Sequence, residues 1–109
     1  MDKLQQEKQS KIEIIIEEVT AQKFERLSEL KSSFDFMIKR LEATKPKPEV
    51  LQAHKEKIDA KKREKEDAIK ALIGEMELIK KQKIHDLNEE YENKKRELLK
   101  EQKEQTILE

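Results

Sequence analysis

Two prolines set one residue apart, in Lys45-Pro46-Lys47-Pro48, are the only prolines in this chain. Each removes a backbone donor, fixes φ, and biases the residue before it toward extended backbone. A helix does not run through such a pair. The segments on either side, 1–44 and 49–109, are written almost wholly in Lys, Glu, Gln, Leu, Ile and Ala. All of these but Ile are strong helix formers. The text predicts two helices and one corner: a first helix over about 3–43, a turn over 44–48 and a second helix over about 49–106, read as one coiled-coil unit over 1–109.

Composition decides between a folded helical protein and the alternatives. Of 109 residues, 46% are charged and 34% apolar, with three Phe, one Tyr and no Trp. That is too little apolar surface for a compact globule of this length. Disorder is the other outcome of low hydrophobicity, but it goes with many Pro, Ser and Gly and a large net charge. Here 25 basic residues balance 25 acidic ones and glycine occurs once, the pattern of long exposed helices and coiled coils. Zero net charge gives no global pull toward nucleic acid or a membrane surface. The lack of cysteine excludes disulfides and thiolate metal sites. No apolar run reaches the length of a membrane span, and residues 1–8 lack the apolar core of a signal peptide. The expected location is cytoplasmic, with the nucleus left open.

The apolar residues follow helical stripes. Asp2 offers an early start to the first helix, and Ser10-Lys11-Ile12-Glu13 offers a later one as a capping box; the early start is preferred. Leu27, Leu30, Phe34, Met37 and Leu41 then recur at three-four spacing on one face. Pro48 suits the first position of the second helix, where Glu49 meets the positive end of the dipole. The second stripe reads Leu51, Ile58, Ile69, Leu72, Met76 and Ile79, with Lys55, Lys62 and Lys65 where the seam falls. Lysine stems lie on apolar surface while the ammonium reaches water. After Ile79 the phase slips, as at a stutter, and Ile84, Leu87, Tyr91 and Leu98 carry the stripe on. Past Leu98 only Leu99, Ile107 and Leu108 are apolar, so this end is expected to fray or to need a partner. Gly74 sits inside the second helix, where it costs about 1 kcal/mol relative to Ala. A close backbone approach or a hinge would explain it; a tolerated lapse is the preferred reading.

A short connection with proline favours antiparallel neighbours. Folding the chain about Lys47 pairs residues whose numbers sum to about 93. Phe34 then meets Ile58 and Asp59, Phe24 meets Ile69, Ala21 meets Leu72, and the segment past Glu92 has nothing opposite. Three clusters are too wide for a two-helix seam: Ile12 with Ile14, Ile15 and Ile16; Phe34 with Phe36, Met37 and Ile38; and Ile69, Leu72 and Ile73 with Leu78 and Ile79. Consecutive residues step about 100° round a helix, so these clusters spill past one stripe. The expected fold is therefore all-α: an antiparallel coiled-coil hairpin completed by a further helix or helices from a partner or a second copy. Ile12, Ile15, Ile16, Phe34, Met37, Ile38, Leu72, Met76 and Ile79 are the candidate partner-binding residues. A single parallel rod is the competing topology, disfavoured by the paired prolines. In shape alone the expected hairpin resembles the dynein stalk, an antiparallel coiled coil that turns near prolines. Prefoldin-like chaperone arms resemble it equally, and neither resemblance assigns a role to a residue.

No cluster carries recognisable chemistry. His54 and His85 lie 31 residues apart, and neither is preceded by Glu at the spacing of helical di-iron sites. His85 and Glu89, one turn apart, read as a solvated pair rather than a metal site. One glycine cannot build a phosphate loop, and a hairpin offers no concave pocket for a catalytic triad. No catalytic, cofactor or metal residue is expected, and the chain reads as non-enzymatic. Residues 39–65 hold ten basic and five acidic side chains, while the remainder is net negative. The corner is thus a basic tip, with Lys45, Lys47, Lys61, Lys62, Arg63 and Lys65 as candidates to meet an acidic polymer such as a microtubule or nucleic acid. No Phe, Tyr or Trp lies between Met37 and Tyr91, which withholds base stacking and disfavours nucleic acid. The expected function is a coiled-coil scaffold or adaptor, cytoskeletal in character, that works by helix–helix assembly. A basic-tip binding module is the alternative.

Overall fold

The computed structural model describes the backbone of residues 2–108 and the side chains of 3–105. Helix α1 spans Asp2–Ala43 and helix α2 spans Leu51–Leu108. The two pack against each other as a hairpin, as expected. α1 begins at Asp2 and passes through Ser10 without a break, so the capping-box sequence lies inside a helix. The side chains of Ile107 and Leu108 lie outside the described residues. The chain divides into two compact units, one of Thr20–Glu77 and one of Met1–Val19 with Leu78–Glu109.

The corner is built as the prolines require. The Thr44 hydroxyl donates to the Arg40 carbonyl at 3.0 Å, and the Thr44 amide donates to the Leu41 carbonyl at 3.3 Å. These bonds satisfy carbonyls that the helix end leaves open. Arg40 sits in the last turn of α1, favourable to the dipole, with its guanidinium 5.9 Å from the Phe36 ring centroid. Lys47 is extended, with φ −68° and ψ 151°, as the residue before a proline should be. Pro48–Val50 then form a 3₁₀ turn, with the Val50 amide donating to the Lys47 carbonyl at 3.0 Å. α2 proper starts at Leu51, two residues later than the sequence predicts.

Cross-helix contacts give the register and correct the expected one. In the corner unit, Arg26 Nη1 lies 3.6 Å from Met76 Sδ, Lys65 Nζ 2.6 Å from Asp35 Oδ1, and Lys62 Nζ 3.6 Å from Glu42 Oε1. Those residue numbers sum to 102, 100 and 104 in turn. In the other unit the Lys11 ammonium stands 5.3 Å from the Tyr91 ring centroid, again with a sum of 102. The pairing is therefore displaced by about nine residues from a fold at Lys47. The cause is the length of the corner. Residues 44–47 form no helix, and a non-helical link of four residues can reach as far as about 13 Å. α2 needs about nine residues at 1.5 Å each to cover that distance on its way back. Phe34 is consequently not level with Ile58, and Phe24 does not meet Ile69; Phe24 is 76% exposed.

The seam is narrow. Val19 and Ile38 of α1 and Met76, Leu87 and Tyr91 of α2 are buried, Met76 to 1% exposure. Half-buried Leu27, Leu30, Phe34 and Leu41 face half-buried Ile58, Ile69 and Leu72 in the corner unit. Ile38 takes the seam place expected of Met37, which turns outward. Leu51 is exposed because it belongs to the first turns of α2, beyond the level at which α1 ends. Half-buried Lys61 and Lys65 share the seam, while Lys55 and Lys62 are exposed. Past Ile79 the stripe does continue through Ile84, Leu87 and Tyr91, whereas Leu98 is exposed. At Gly74 the helix is uninterrupted, φ is not positive, and no neighbouring atom lies within 4 Å of an added Cβ. The glycine is a tolerated lapse, with no close approach to explain it.

Candidate interaction surfaces

Consecutive apolar residues on a helix cannot all face one neighbour, so each wide cluster splits. Ile12, Ile15, Phe34, Leu72 and Ile79 lie half-buried along the seam, and Ile38 and Met76 are covered inside the hairpin. Ile16 and Met37 are exposed. The clusters leave further large side chains open to water. In the corner unit these are Phe24, Phe36, Val50, Leu51 and Ile73; in the other unit they are Ile14, Leu78, Leu98 and Leu99. Phe36 is 63% and Leu78 69% exposed. Isolated exposed apolar residues are ordinary on a protein surface; this number on so polar a chain is not. Val19 belongs to none of the three wide clusters yet is buried, and its four-residue step from Ile15 is the signal that places it in the seam.

The two flanks of the seam differ in the corner unit. Positions 35 and 42 of α1 are one heptad apart and share a flank, and from it Asp35 and Glu42 reach Lys65 and Lys62 of α2. The Lys65 ammonium beside Asp35 holds that carboxyl below its ordinary range, against the opposing effect of burial. On the other flank Arg26, Glu29 and Leu30 of α1 and Ala68, Ala71, Leu72 and Glu75 of α2 line an open groove. Two of the α2 residues carry only a methyl group, so that wall is low.

The basic tip is partly neutralised within the hairpin. Lys61 pairs with Glu64 at 3.0 Å, Lys62 with Glu42 and Lys65 with Asp35. Of the six candidate cations, Lys45, Lys47 and Arg63 have no carboxylate within 4.0 Å among the described residues. In the other unit the Lys11 and Lys94 ammonium groups stand 5.3 and 4.7 Å from the Tyr91 ring centroid. Among the described residues the buried Tyr91 hydroxyl has no partner in hydrogen-bonding geometry. Ammonium and phenol therefore meet as charge against ring and dipole. Tyr91 chiefly, and Glu7 at 3.5 Å in addition, hold the Lys11 amine above its ordinary range.

His85 Nε2 lies 3.1 Å from Glu89 Oε1, with both side chains well exposed. Among the described residues no three His, Cys, Asp or Glu side chains gather as a metal site would need. Nor is any described helix long and apolar enough to cross a membrane. No protein-family model matches the chain, and no curated protein or solved structure matches it either.

Proposed function

We propose that this chain is a non-enzymatic coiled-coil structural or adaptor element that works by helix–helix assembly, with itself or with another helical protein. The observation that carries this reading is the set of large apolar side chains left outside the seam, Phe24, Phe36, Met37 and Ile73 in the corner unit and Ile14, Ile16 and Leu78 in the other. A further helix laid on such residues removes them from water at about 25 cal/mol per Å², and an amphipathic helix in a groove is a recurrent recognition mode. Light scattering tests it. The assembled mass should exceed the 13.0 kDa of one chain and fall when Met37→Asp places a carboxylate among these side chains or Leu72→Asp places one in the groove beside the seam. An assembled mass unchanged by both substitutions overturns the reading.

A second reading has the corner docking an acidic polymer. It is supported by Lys45, Lys47 and Arg63, which have no carboxylate beside them in the hairpin. Reversing Lys61, Lys62 and Arg63 to Glu should abolish co-sedimentation with microtubules. Binding indifferent to salt would rule this reading out, since exposed charges are screened beyond about 8 Å at physiological ionic strength.

A further inference from the structure

We infer that the open groove of the corner unit receives a second copy of this chain, packed groove to groove about a two-fold axis that runs along the helices. The inference rests on the assembly reading above and names the partner and its register. Its starting point is the asymmetry of the seam. One flank is closed by the Asp35–Lys65 and Glu42–Lys62 pairs. Arg26, Leu30 and Met37 lie roughly 120–180° round α1 from Asp35 and Glu42, at about 100° per residue, and Arg26, Glu29 and Glu75 form no ion pair across the helices on that side. There Ala68 and Ala71 leave the α2 wall low, so that a neighbouring helix can approach closely and set its own side chains into the gap.

Charge then selects the occupant. The α1 wall carries Arg26, whose guanidinium rests on the Met76 thioether at 3.6 Å and has no carboxylate within 4.0 Å among the described residues. The α2 wall carries Glu75, which has no cation within that distance. Beside the seam α1 presents the positive Arg26 and α2 the negative Glu75, and neither is paired among the described residues. Rotation about an axis along the helices lays the α1 wall of one copy on the α2 wall of the other. Because Arg26 touches Met76, position 75 stands at nearly the same height as Arg26. Each Arg26 therefore meets Glu75 of the second copy with no axial shift, and the match occurs twice. Leu30 and Met37 extend the apolar strip beneath these pairs on α1. Glu29 is turned further from the seam and stays at the rim.

Sedimentation velocity on the full chain, with wild type, Arg26→Glu, Glu75→Arg and an equal mixture of the two variants, tests this arrangement. The wild type should run at twice the 13.0 kDa chain mass. Either variant alone sets like charges against each other at both contacts, and its self-association should weaken on the order of tenfold or more. In the mixture every contact again joins opposite charges, so a dimer containing one chain of each kind should return. Ala71→Glu, at an exposed helical position, should also leave a monomer of unchanged helicity. Single variants that keep the wild-type mass, a mixture that stays monomeric, or an Ala71→Glu chain that still dimerises would each overturn the inference. A wild-type assembly that yields to Met37→Asp but ignores the charge exchanges leaves the assembly reading standing and removes only this register. A wild type that runs at the mass of one chain removes self-pairing and leaves a different helical protein as the partner.

Discussion

Gly74 stands on an exposed stretch of α2, and a methyl group there would meet no neighbouring atom within 4 Å. Glycine inside a helix costs about 1 kcal/mol relative to alanine, because more backbone freedom is lost on folding. Gly74→Ala should therefore raise the unfolding free energy by about 1 kcal/mol in a denaturant titration, acting largely through the unfolded chain. A midpoint that stays or falls would show that freedom at this position serves the folded state. The neutral surroundings of Gly74 were legible in the sequence, since a single glycine in a long polar helix is most simply a lapse. The choice between Met37 and Ile38 for the seam was not. Both are apolar neighbours at acceptable spacing from Phe34, and which one turns inward depends on the phase at which α2 arrives.

That phase belongs to the scale of the element. The residues that make each helix, the place where α1 must stop and the reversal of the chain all follow from propensity and from Pro46 and Pro48. The height at which the helices meet does not, because propensity says nothing of how far an extended corner travels before α2 begins. Lys45-Pro46-Lys47 carries the chain outward, and the pairing moves from a sum of about 93 to between 100 and 104. The shift explains why Leu51 is exposed and why Lys65 meets Asp35. Distances between spin labels in the corner unit would measure it. A label at Ile73 should lie nearer to one at Glu29, where the numbers sum to 102, than to one at Thr20, where they sum to 93. The axial offset separating the two cases is roughly 13 Å, from nine residues at 1.5 Å each. If the label at Thr20 is the nearer, the corner has no effective length and the helices pair at a sum near 93.

For the molecule as a whole, 25 basic and 25 acidic residues balance near neutral pH, so net repulsion builds only toward the extremes and local contacts add to it. Two contacts hold a group away from its ordinary range, one in each unit. Asp35 has its carboxyl held below the ordinary 3.8, first by the hydrogen bond from Lys65 and then by that ammonium's charge. A folded-state value below the unfolded one means that the stabilisation is present above 3.8 and is lost as pH falls through the folded value. Lys11 has its amine held above the ordinary 10.5, first by Tyr91 and with a further contribution from Glu7. Its stabilisation is present below 10.5 and is lost as pH rises through the higher folded value. Both groups are exposed to solvent and screened by salt, so each effect is small and local. Methyl resonances of Ile38 and Met76 should report the acid loss in the corner unit, and those of Val19 and Leu87 the alkaline loss in the other. Asp35→Asn should flatten only the first response and Lys11→Met only the second. An acid response that survives Asp35→Asn unchanged would mean that it does not arise at the Asp35–Lys65 contact.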